Sequence, residues 1–220
     1  MKDTRLFRAD PTSLTANTAW RDRYQALFIL QLEWIWSCAC GRRQPLLAGT
    51  NVDGIGFNNI AILPNGQSDS VTAAIQRKFI PVVLGNFGCT TCTTPQPRTE
   101  SIRIEGSPEY LRIKLSIVNG NGTRNNNPVA LPDILDLSQY QVAGPNPPLK
   151  YKLSSVVSHG GSNNAGHWVA SVRGPKQVIY INDDQVDQQV PQQLRTNPQV
   201  YGKSKMAAVV LMYRRFPTNK

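Results

Sequence analysis

The chain has 220 residues, of which 40% are hydrophobic and 17% charged, and its formal net charge is +10. This size and composition fit a folded protein of one domain or slightly more, and they exclude an intrinsically disordered one. The positive charge would suit a nucleic-acid partner, but the basic residues are scattered in ones and twos and form no known nucleic-acid module, so the sequence disfavours that function.

The sequence gives no sign of a membrane or a secretory route. No apolar run follows the first residues, as a secretory signal would require. The most apolar stretch, residues 26–36, is interrupted by Gln31 and Glu33 and is too short to span a bilayer. We therefore expect a soluble protein of the cytoplasm or the nucleus, without a membrane partner.

The N-terminal part predicts a tail, a helix and a strand. Residues 1–12 are predicted to be a frayed tail, and Ser13 can cap a helix in which Trp20 and Tyr24 recur at helical spacing. Apolar residues then alternate along residues 32–38, which is typical of a strand.

The middle of the chain predicts short elements joined by turns. Short apolar runs occupy residues 59–63 and 79–84, and a short helix is predicted for 71–78. Residues 110–117 alternate between polar and apolar side chains, as a half-buried strand does. Residues 119–127 are almost entirely polar, so burial cannot order them, and a mobile loop is predicted.

The C-terminal part predicts successive strands. After a return segment over residues 131–140, strands are predicted for 152–158, 167–172, 177–181 and 207–214, with a glycine-rich loop over 160–166. Short strands in sequence with tight turns are typical of an antiparallel sheet.

The four cysteines fall in two close pairs. Cys38 and Cys40 form the first pair, followed by Gly41, and Cys89 and Cys92 form the second. Two such pairs can converge on one tetrahedral Zn²⁺, although the single residue within the first pair is an irregular ligand spacing. A structural zinc site and a degenerate cluster of four unliganded thiols both remain open, and disulfides are not expected in an intracellular chain.

The two histidines lie in one short block. His167 is predicted to begin a strand, and Asn182, fifteen positions later, to end the next one. A base and a polar side chain so placed can meet across a hairpin, as a cysteine protease requires. Its imidazole takes a proton from a thiol while an Asn or Asp orients the ring.

This block resembles the His box of the ubiquitin-specific proteases. Tyr151-Lys-Leu, His159-Gly-Gly, Gly166-His-Trp and the strand ending in Asn182-Asp183 occur in the order of that box. Residues 108–115, 133–140 and 207–215 are similar to further core segments of the family, and the cysteine pairs fall where its zinc-bearing fingers lie. The resemblance covers residues 27–215.

The resemblance implies roles for individual residues. His167 corresponds to the general base, Asn182 to the residue that orients it, and Asp183 to a neighbouring acid. The substrate-binding residues would be His159, Gly160, Gly166 and Trp168. Loops 119–127 and 159–166 would be the family's two blocking loops; the alternative is that each is a plain surface connection.

The resemblance also implies a fold. We expect an α+β protein with a papain-like cysteine protease palm, a central antiparallel sheet, zinc-finger-like β fingers and a largely absent thumb subdomain. Residues 1–26 would be a tail and helix remnant, 27–107 the fingers-like region and 108–220 the palm.

The implied activity is thiol-dependent hydrolysis of the isopeptide bond after the C-terminal glycine of ubiquitin, with ubiquitin or a ubiquitin-like modifier as partner. Nothing in residues 1–37 matches the family's cysteine box, and Trp168 replaces its usual Tyr. The chain alone is therefore expected to be inactive, as a truncated gene product, a pseudoenzyme or one half of a split enzyme. A ubiquitin-binding scaffold and a basic zinc-knuckle protein associated with nucleic acid are the alternatives.

Overall fold

The computed structural model describes residues 14–45, 52–64, 66–92, 94–119, 121–125, 127–162, 165–174, 178–189 and 207–216. The predicted tail over residues 1–12 and the predicted cap Ser13 lie outside these ranges. The helices are α1 (Leu14–Phe28) and α2 (Val71–Phe79), and a 3-10 turn spans Ser138–Tyr140. The strands are β1 (Ile29–Cys38), β2 (Arg43–Pro45), β3 (Val52–Ile55), β4 (Phe57–Ala61), β5 (Asp69–Ser70), β6 (Val82–Phe87), β7 (Gln96–Gly106), β8 (Tyr110–Ser116), β9 (Val129–Ala130), β10 (Ile134–Asp136), β11 (Lys150–Gly161), β12 (Gly166–Arg173), β13 (Val178–Asn182), β14 (Gln185–Gln189) and β15 (Ala207–Arg215).

A first sheet is built around the long antiparallel pair β1 and β7. Its strand order is β2-β1-β7-β6, and β3 also pairs with β1. Leu32 lies opposite Ile104, and both side chains are buried. The buried face follows from the alternation of apolar and polar residues on each strand, because neighbouring side chains point to opposite faces.

A second sheet carries most of the C-terminal half. Its strand order is β14-β13-β12-β11-β15-β8-β4, with β10 pairing onto β11. The predicted antiparallel arrangement is confirmed for β8 and β10–β15. Strand β4, for which the sequence predicted only a short apolar run, runs parallel to β8. Gly56 precedes β4 with a φ of +67°, and a Cβ there would lie 1.9 Å from the carbonyl oxygen of Arg112, so only glycine fits this close approach.

Helix α2, which the sequence predicted, is anchored at its N-terminus. The Ser70 hydroxyl accepts a hydrogen bond from the backbone N–H of Ala73, as an N-cap does. The fully buried carboxylate of Asp69 accepts two hydrogen bonds from Arg77, at 3.0 and 2.7 Å. Burial acts to raise the pKa of Asp69, but these bonds and the backbone N–H groups of Leu63 and Ser70 hold it below its usual value.

One hydrophobic core joins the two sheets and α2. Phe79 of α2 stacks on Tyr140 and makes an edge contact with Phe57 of the second sheet. Leu32 and Ile104 of the first sheet belong to the same buried cluster. The division into a fingers-like region and a palm stays a prediction. Strand β4 falls within residues 27–107, the predicted fingers-like region, but it pairs in the second sheet.

Part of the segment predicted to be a mobile loop contacts the rest of the chain, while its mobility stays a prediction. The side-chain amide of Asn125 donates to the carbonyl oxygen of Leu63 at 2.9 Å, and Asn127 donates to Gln67 at 2.7 Å. Both asparagines are buried. Hydrogen bonds from their side chains replace the apolar burial that the segment lacks. Residues 120 and 126 lie outside the described ranges.

No helix in the part of the chain that the structure describes combines the length and apolar character of a membrane span.

Candidate active site and sulfur cluster

The paired strands β12 and β13 of the second sheet bring His167 and Asn182 together. The last registered pair between β12 and β13 is Ala170 and Ile181, so His167 lies three residues beyond that pair and Asn182 one residue beyond it. The Nε2 atom of His167 is in hydrogen-bond contact with Oδ1 of Asn182. The contact predicted from the sequence spacing is therefore present.

The turn between β13 and β14 places Asp183 beside the same ring. Asn182 pairs with Gln185, so the turn has two residues, and Asp183 adopts a φ of +53°, which Asp tolerates better than most residues. Its Oδ2 lies 4.0 Å from Nδ1 of His167. The Asp183 carboxylate is 77% exposed and the His167 ring 46%, so this edge of the ring faces solvent.

These contacts fix the chemical role that each ring nitrogen can take. An amide carbonyl oxygen only accepts hydrogen bonds, so Nε2 of His167 must donate to Asn182 and carries the proton. In the neutral ring Nδ1 then has a free lone pair, which can accept a proton from a group in the solvent-facing groove. The carboxylate of Asp183 lies on this side of the ring, 4.0 Å from Nδ1.

The second histidine is held by an arginine. Arg124 donates through Nη1 to Nδ1 of His159 at 2.7 Å and to the carbonyl oxygen of Gly161 at 2.8 Å, and through Nη2 to the carbonyl oxygen of His159. Burial, assisted by the positive charge of Arg124, lowers the pKa of His159. His159 is therefore a neutral ring that accepts through Nδ1.

The ring of His159 also forms the support for the predicted substrate-binding residues. Trp168 packs on it with 4.4 Å between ring centroids and remains 52% exposed. Gly166 lies so close that a Cβ at this position would be 2.2 Å from Nε2 of His159 and 2.3 Å from the carbonyl oxygen of Gly160. His159, Gly160, Gly166 and Trp168 thus form one packed unit next to His167, which follows Gly166 in the chain.

The glycine-rich loop begins later than the sequence predicted. Gly160 and Gly161 belong to β11, opposite His167 and Gly166, so the prediction that the loop starts at residue 160 is wrong. The strand persists because both glycines remain paired with β12. Gly161 has a φ of +106°, which favours glycine, and within the turn residues 163–164 lie outside the described ranges.

Sequence reasoning missed two parts of the site. Arg124 was assigned to an unstructured loop, although it is the one charged residue in an otherwise polar run, which is a usable signal. Strand β14 was missed because its sequence, QVDQQ, lacks the apolar alternation of a strand. Its pairing with β13 forms the turn that positions Asp183.

The four cysteines converge at the end of the first sheet. Cys38 and Cys92 have sulfurs 3.5 Å apart, Cys40 and Cys89 have sulfurs 3.8 Å apart, and all four sulfurs lie within 4.8 Å of one another. A turn closed by the backbone bond from Gly41 to Cys38 carries the first pair, and one closed by the bond from Cys92 to Cys89 carries the second. The four residues predicted from their spacing thus form one cluster.

The donor set and its dimensions fit a tetrahedral metal ion. Metal–sulfur bonds of about 2.3 Å place the ligands of tetrahedral zinc about 3.8 Å apart. A backbone hydrogen bond from Thr91 lowers the pKa of Cys89 to about 6, whereas sharing of hydrogen bonds with Cys40 and Cys38 raises the pKa of Cys92 to about 12. The pKa values of Cys89 and Cys92 thus move in opposite directions, and a bound cation would favour the thiolate form of both.

No cysteine of this sequence is available to His167. The sequence contains four cysteines, and all four lie in the cluster on the first sheet. His167 lies on the second sheet, where its ring contacts Asn182 and lies beside Asp183. The histidine site and the sulfur cluster are therefore separate.

Comparison with protein families gives a match over most of the chain. The model of the family described as ubiquitin carboxyl-terminal hydrolase matches residues 17–213. Among curated proteins, ubiquitin carboxyl-terminal hydrolase 5 of Saccharomyces cerevisiae is 32% identical over 114 residues, which cover 44% of this chain and 14% of that protein. Ubiquitin carboxyl-terminal hydrolase 17-like protein B of Mus musculus is 27% identical over 101 residues, covering 45% and 22%.

Solved structures with the same fold include deubiquitinating modules. The SAGA Ubp8/Sgf11/Sus1/Sgf73 DUB module bound to ubiquitin aldehyde contains a chain with a TM-score of 0.72 and 19% identity, covering 88% of this chain and 42% of that one. A second structure with the same four components gives a TM-score of 0.73 at 20% identity, covering 96% and 46%. At such identities the likeness establishes the fold, and the predicted papain-like palm with its sheet is confirmed. The chain spans less than half of either solved chain and less than a quarter of the two curated relatives.

Proposed function

Because this chain belongs to the ubiquitin carboxyl-terminal hydrolase family, we propose that its second sheet is the histidine half of a thiol-dependent ubiquitin hydrolase. His167 is the general base, Asn182 orients its ring and Asp183 stabilises the protonated form. The substrate is the bond that follows the C-terminal glycine of ubiquitin or a ubiquitin-like modifier. The contact between His167 and Asn182 carries this proposal.

The proposed reaction requires a thiol beside Nδ1 of His167. The thiol gives its proton to Nδ1, and its sulfur bonds to the carbonyl carbon of the terminal glycine. The amine leaves with the proton that Nδ1 returns. Water, which gives a proton to the same base, then attacks the acyl carbon and releases the sulfur. Since the four cysteines of this sequence belong to the sulfur cluster, the thiol would come from polypeptide outside these residues.

The substrate groove would be walled by the unit built on His159. Trp168, half exposed beside His167, offers a flat apolar surface to the extended tail of ubiquitin. Gly160 and Gly166 allow the backbone of that tail to approach closely. Arg124 holds the segment of residues 121–125 against this wall, so the groove would be formed before the substrate arrives.

A second candidate function is ubiquitin binding without turnover. It is favoured by the placement of all four cysteines in the cluster, away from the base. Binding and chemistry can be separated experimentally, because a scaffold would bind ubiquitin without any dependence of bond cleavage on His167.

Chemical rescue tests the proposed base. The purified chain is mixed with a ubiquitin aminocoumarin amide and a small thiol such as 2-mercaptoethanol, which supplies the absent sulfur. We expect coumarin release that rises with thiol concentration and falls by about a hundredfold in His167→Ala, the lower range for general acid–base catalysis. Lys114→Gln, an exposed change on β8, should leave it unchanged.

Ubiquitin binding is measured on the same samples by titration calorimetry. Binding by the wild type and by His167→Ala, together with loss of release only in the latter, supports the hydrolase half. Binding with no release that depends on His167 assigns the chain to the scaffold function. Absence of binding and of release would overturn both.

We also propose that the sulfur cluster holds a structural Zn²⁺ through Cys38, Cys40, Cys89 and Cys92. A bound ion would join the turn after β1 to the turn before β7 and would supply a cross-link rather than catalysis. The four sulfurs and their separations support the proposal. Metal analysis should return one zinc per chain, and a value far below one would refute it.

The proposed location is the cytoplasm or the nucleus. The four cysteines are free thiols in the structure. Free thiols are typical of a reducing compartment, where they stay available as metal ligands. Fractionation of cells that express the tagged chain tests this location, which recovery from the secreted fraction would contradict.

A further inference from the structure

A second solvent-accessible site lies at the far end of the sheet from His167. It is a cleft of about 1040 Å³, bordered by the start of β11, the end of β12 and the end of β15. On β12 alone, the six residues from His167 to Arg173 separate the two sites by about 20 Å. The cleft is therefore independent of the proposed active site.

The walls of this cleft carry an excess of positive charge. Lys152, Arg173, Arg214 and Arg215 line it, against one acidic residue, Glu109. Arg173 is paired with Asp133, and Arg214 lies 3.4 Å from Glu109. Lys152 and Arg215 form no ion pair with any residue that the structure describes.

The arrangement of these charges opposes stability of the sheet. Lys152 lies directly opposite Arg214 in the antiparallel pairing of β11 with β15. Like charges in directly opposed positions destabilise a sheet. The ion pair of Arg214 with Glu109 relieves the repulsion only weakly, because the two side chains are 64% and 42% exposed. An anion in the cleft would remove this repulsion.

Size and lining indicate which kind of anion fits. Pockets for single small ligands hold about 300–1,000 Å³, so one phosphate or carboxylate would leave most of this cleft empty. Phe216 is 44% exposed at its border and Leu153 adds an apolar wall. A peptide segment can bring carboxylates to Lys152 and Arg215 while its carbon atoms cover Phe216.

We propose that this cleft binds an acidic, extended peptide segment of a protein partner. The carboxylates lie against Lys152, Arg214 and Arg215, and the backbone crosses the ends of β11, β12 and β15. The net charge of +10 on the chain adds long-range attraction for such a segment. Nucleic acid fits less well, because these cations meet in one cleft instead of following a backbone track.

Fluorescence anisotropy tests the proposal with short labelled peptides of alternating Glu and Ser, or of alternating Gln and Ser. The test variant is the double change Lys152→Gln and Arg215→Gln, which leaves no acidic partner unpaired. The control is the double change Arg43→Gln and Lys114→Gln, which removes the same charge from exposed positions on β2 and β8.

We expect the Glu peptide to bind the wild type and the control, and to bind the cleft variant at least about tenfold more weakly. The Gln peptide should not bind. The melting temperature of the cleft variant should not fall, because the repulsion between positions 152 and 214 is removed, and this result shows that the variant is folded.

Equal loss of binding in both variants would mean that net charge alone attracts the peptide, and it would overturn the proposal. Equal binding of the Gln peptide would do the same. Tighter binding of single-stranded oligothymidylate than of the Glu peptide, lost in the cleft variant, would assign the cleft to nucleic acid instead.

Discussion

Replacing Gly166 by alanine tests the packed unit beside His167. The added Cβ would lie 2.2 Å from Nε2 of His159 and 2.3 Å from the carbonyl oxygen of Gly160, where a normal contact needs more than 3 Å. Rotation of a side chain cannot relieve the second contact, since it is with the backbone of the paired strand. The strands must therefore separate locally by about 1 Å, and overpacking of this kind costs about 1–3 kcal/mol.

Gly85 supplies a matched control. It lies on β6, has no positive φ, and a Cβ there would meet nothing within 4 Å. Gly85→Ala should leave stability unchanged or raise it by about 0.4–1 kcal/mol, because alanine restricts the unfolded chain.

Thermal unfolding measures the difference between the two variants. At about 2–4 °C per kcal/mol for a chain of this size, the melting temperature of Gly166→Ala should lie several degrees below wild type, whereas that of Gly85→Ala should not. The imidazole NMR signals of His167 should shift in Gly166→Ala alone. Equal stability of the two variants, with unmoved His167 signals, would refute the packing that we describe.

Three further predictions concern the histidine site, the anchor of α2 and the sulfur cluster. Arg124→Lys keeps the charge but loses the forked donors that reach His159 and Gly161. Amide hydrogen exchange over residues 121–125 should therefore accelerate at least about tenfold. Exchange rates equal to those of the wild type, measured by NMR, would contradict the proposed anchoring by Arg124. Asp69→Asn leaves Arg77, which is 34% exposed, without its anion and should cost about 2 kcal/mol in urea unfolding at neutral pH. Because the folded-state pKa of Asp69 is lowered, the carboxylate contributes fully to the free energy of unfolding above its unfolded pKa of about 3.9. This contribution is lost as the pH falls through the folded pKa. The wild type and Asp69→Asn should therefore converge in stability in acid, and a difference that stays constant with pH would contradict the role of the Asp69 carboxylate. Cys89→Ser should reduce zinc content well below one per chain and lower the melting temperature, and unchanged metal content would remove this residue from the ligand set.

The histidine site was predictable because its geometry depends on local pairing. The hairpin of β12 and β13 brings His167 and Asn182 together, and it is visible in the sequence as two apolar strands with a turn between them. The sulfur cluster was predictable for a similar reason, since each pair of cysteines brackets its own turn.

The parts that escaped prediction depend on distant contacts. Arg124 meets His159 across 35 positions, and no periodicity in its neighbourhood signals that partner. Asn125 is ordered by a carbonyl 62 positions earlier. The parallel pairing of β4 with β8 also joins distant segments. The alternation of polar and apolar residues within a strand does not specify which strand it pairs with.

The path of the chain through its two sheets has a consequence for dissection of the molecule. The polypeptide contributes β1–β3 to one sheet, β4 to the other, β6 and β7 to the first again, and β8 to the second. A cut after residue 107 would thus separate β4 from its neighbour and split the shared apolar interior. The sulfur cluster and the histidine site are expected to unfold in one cooperative transition. Truncations that treat the two regions as separate domains should therefore give insoluble fragments.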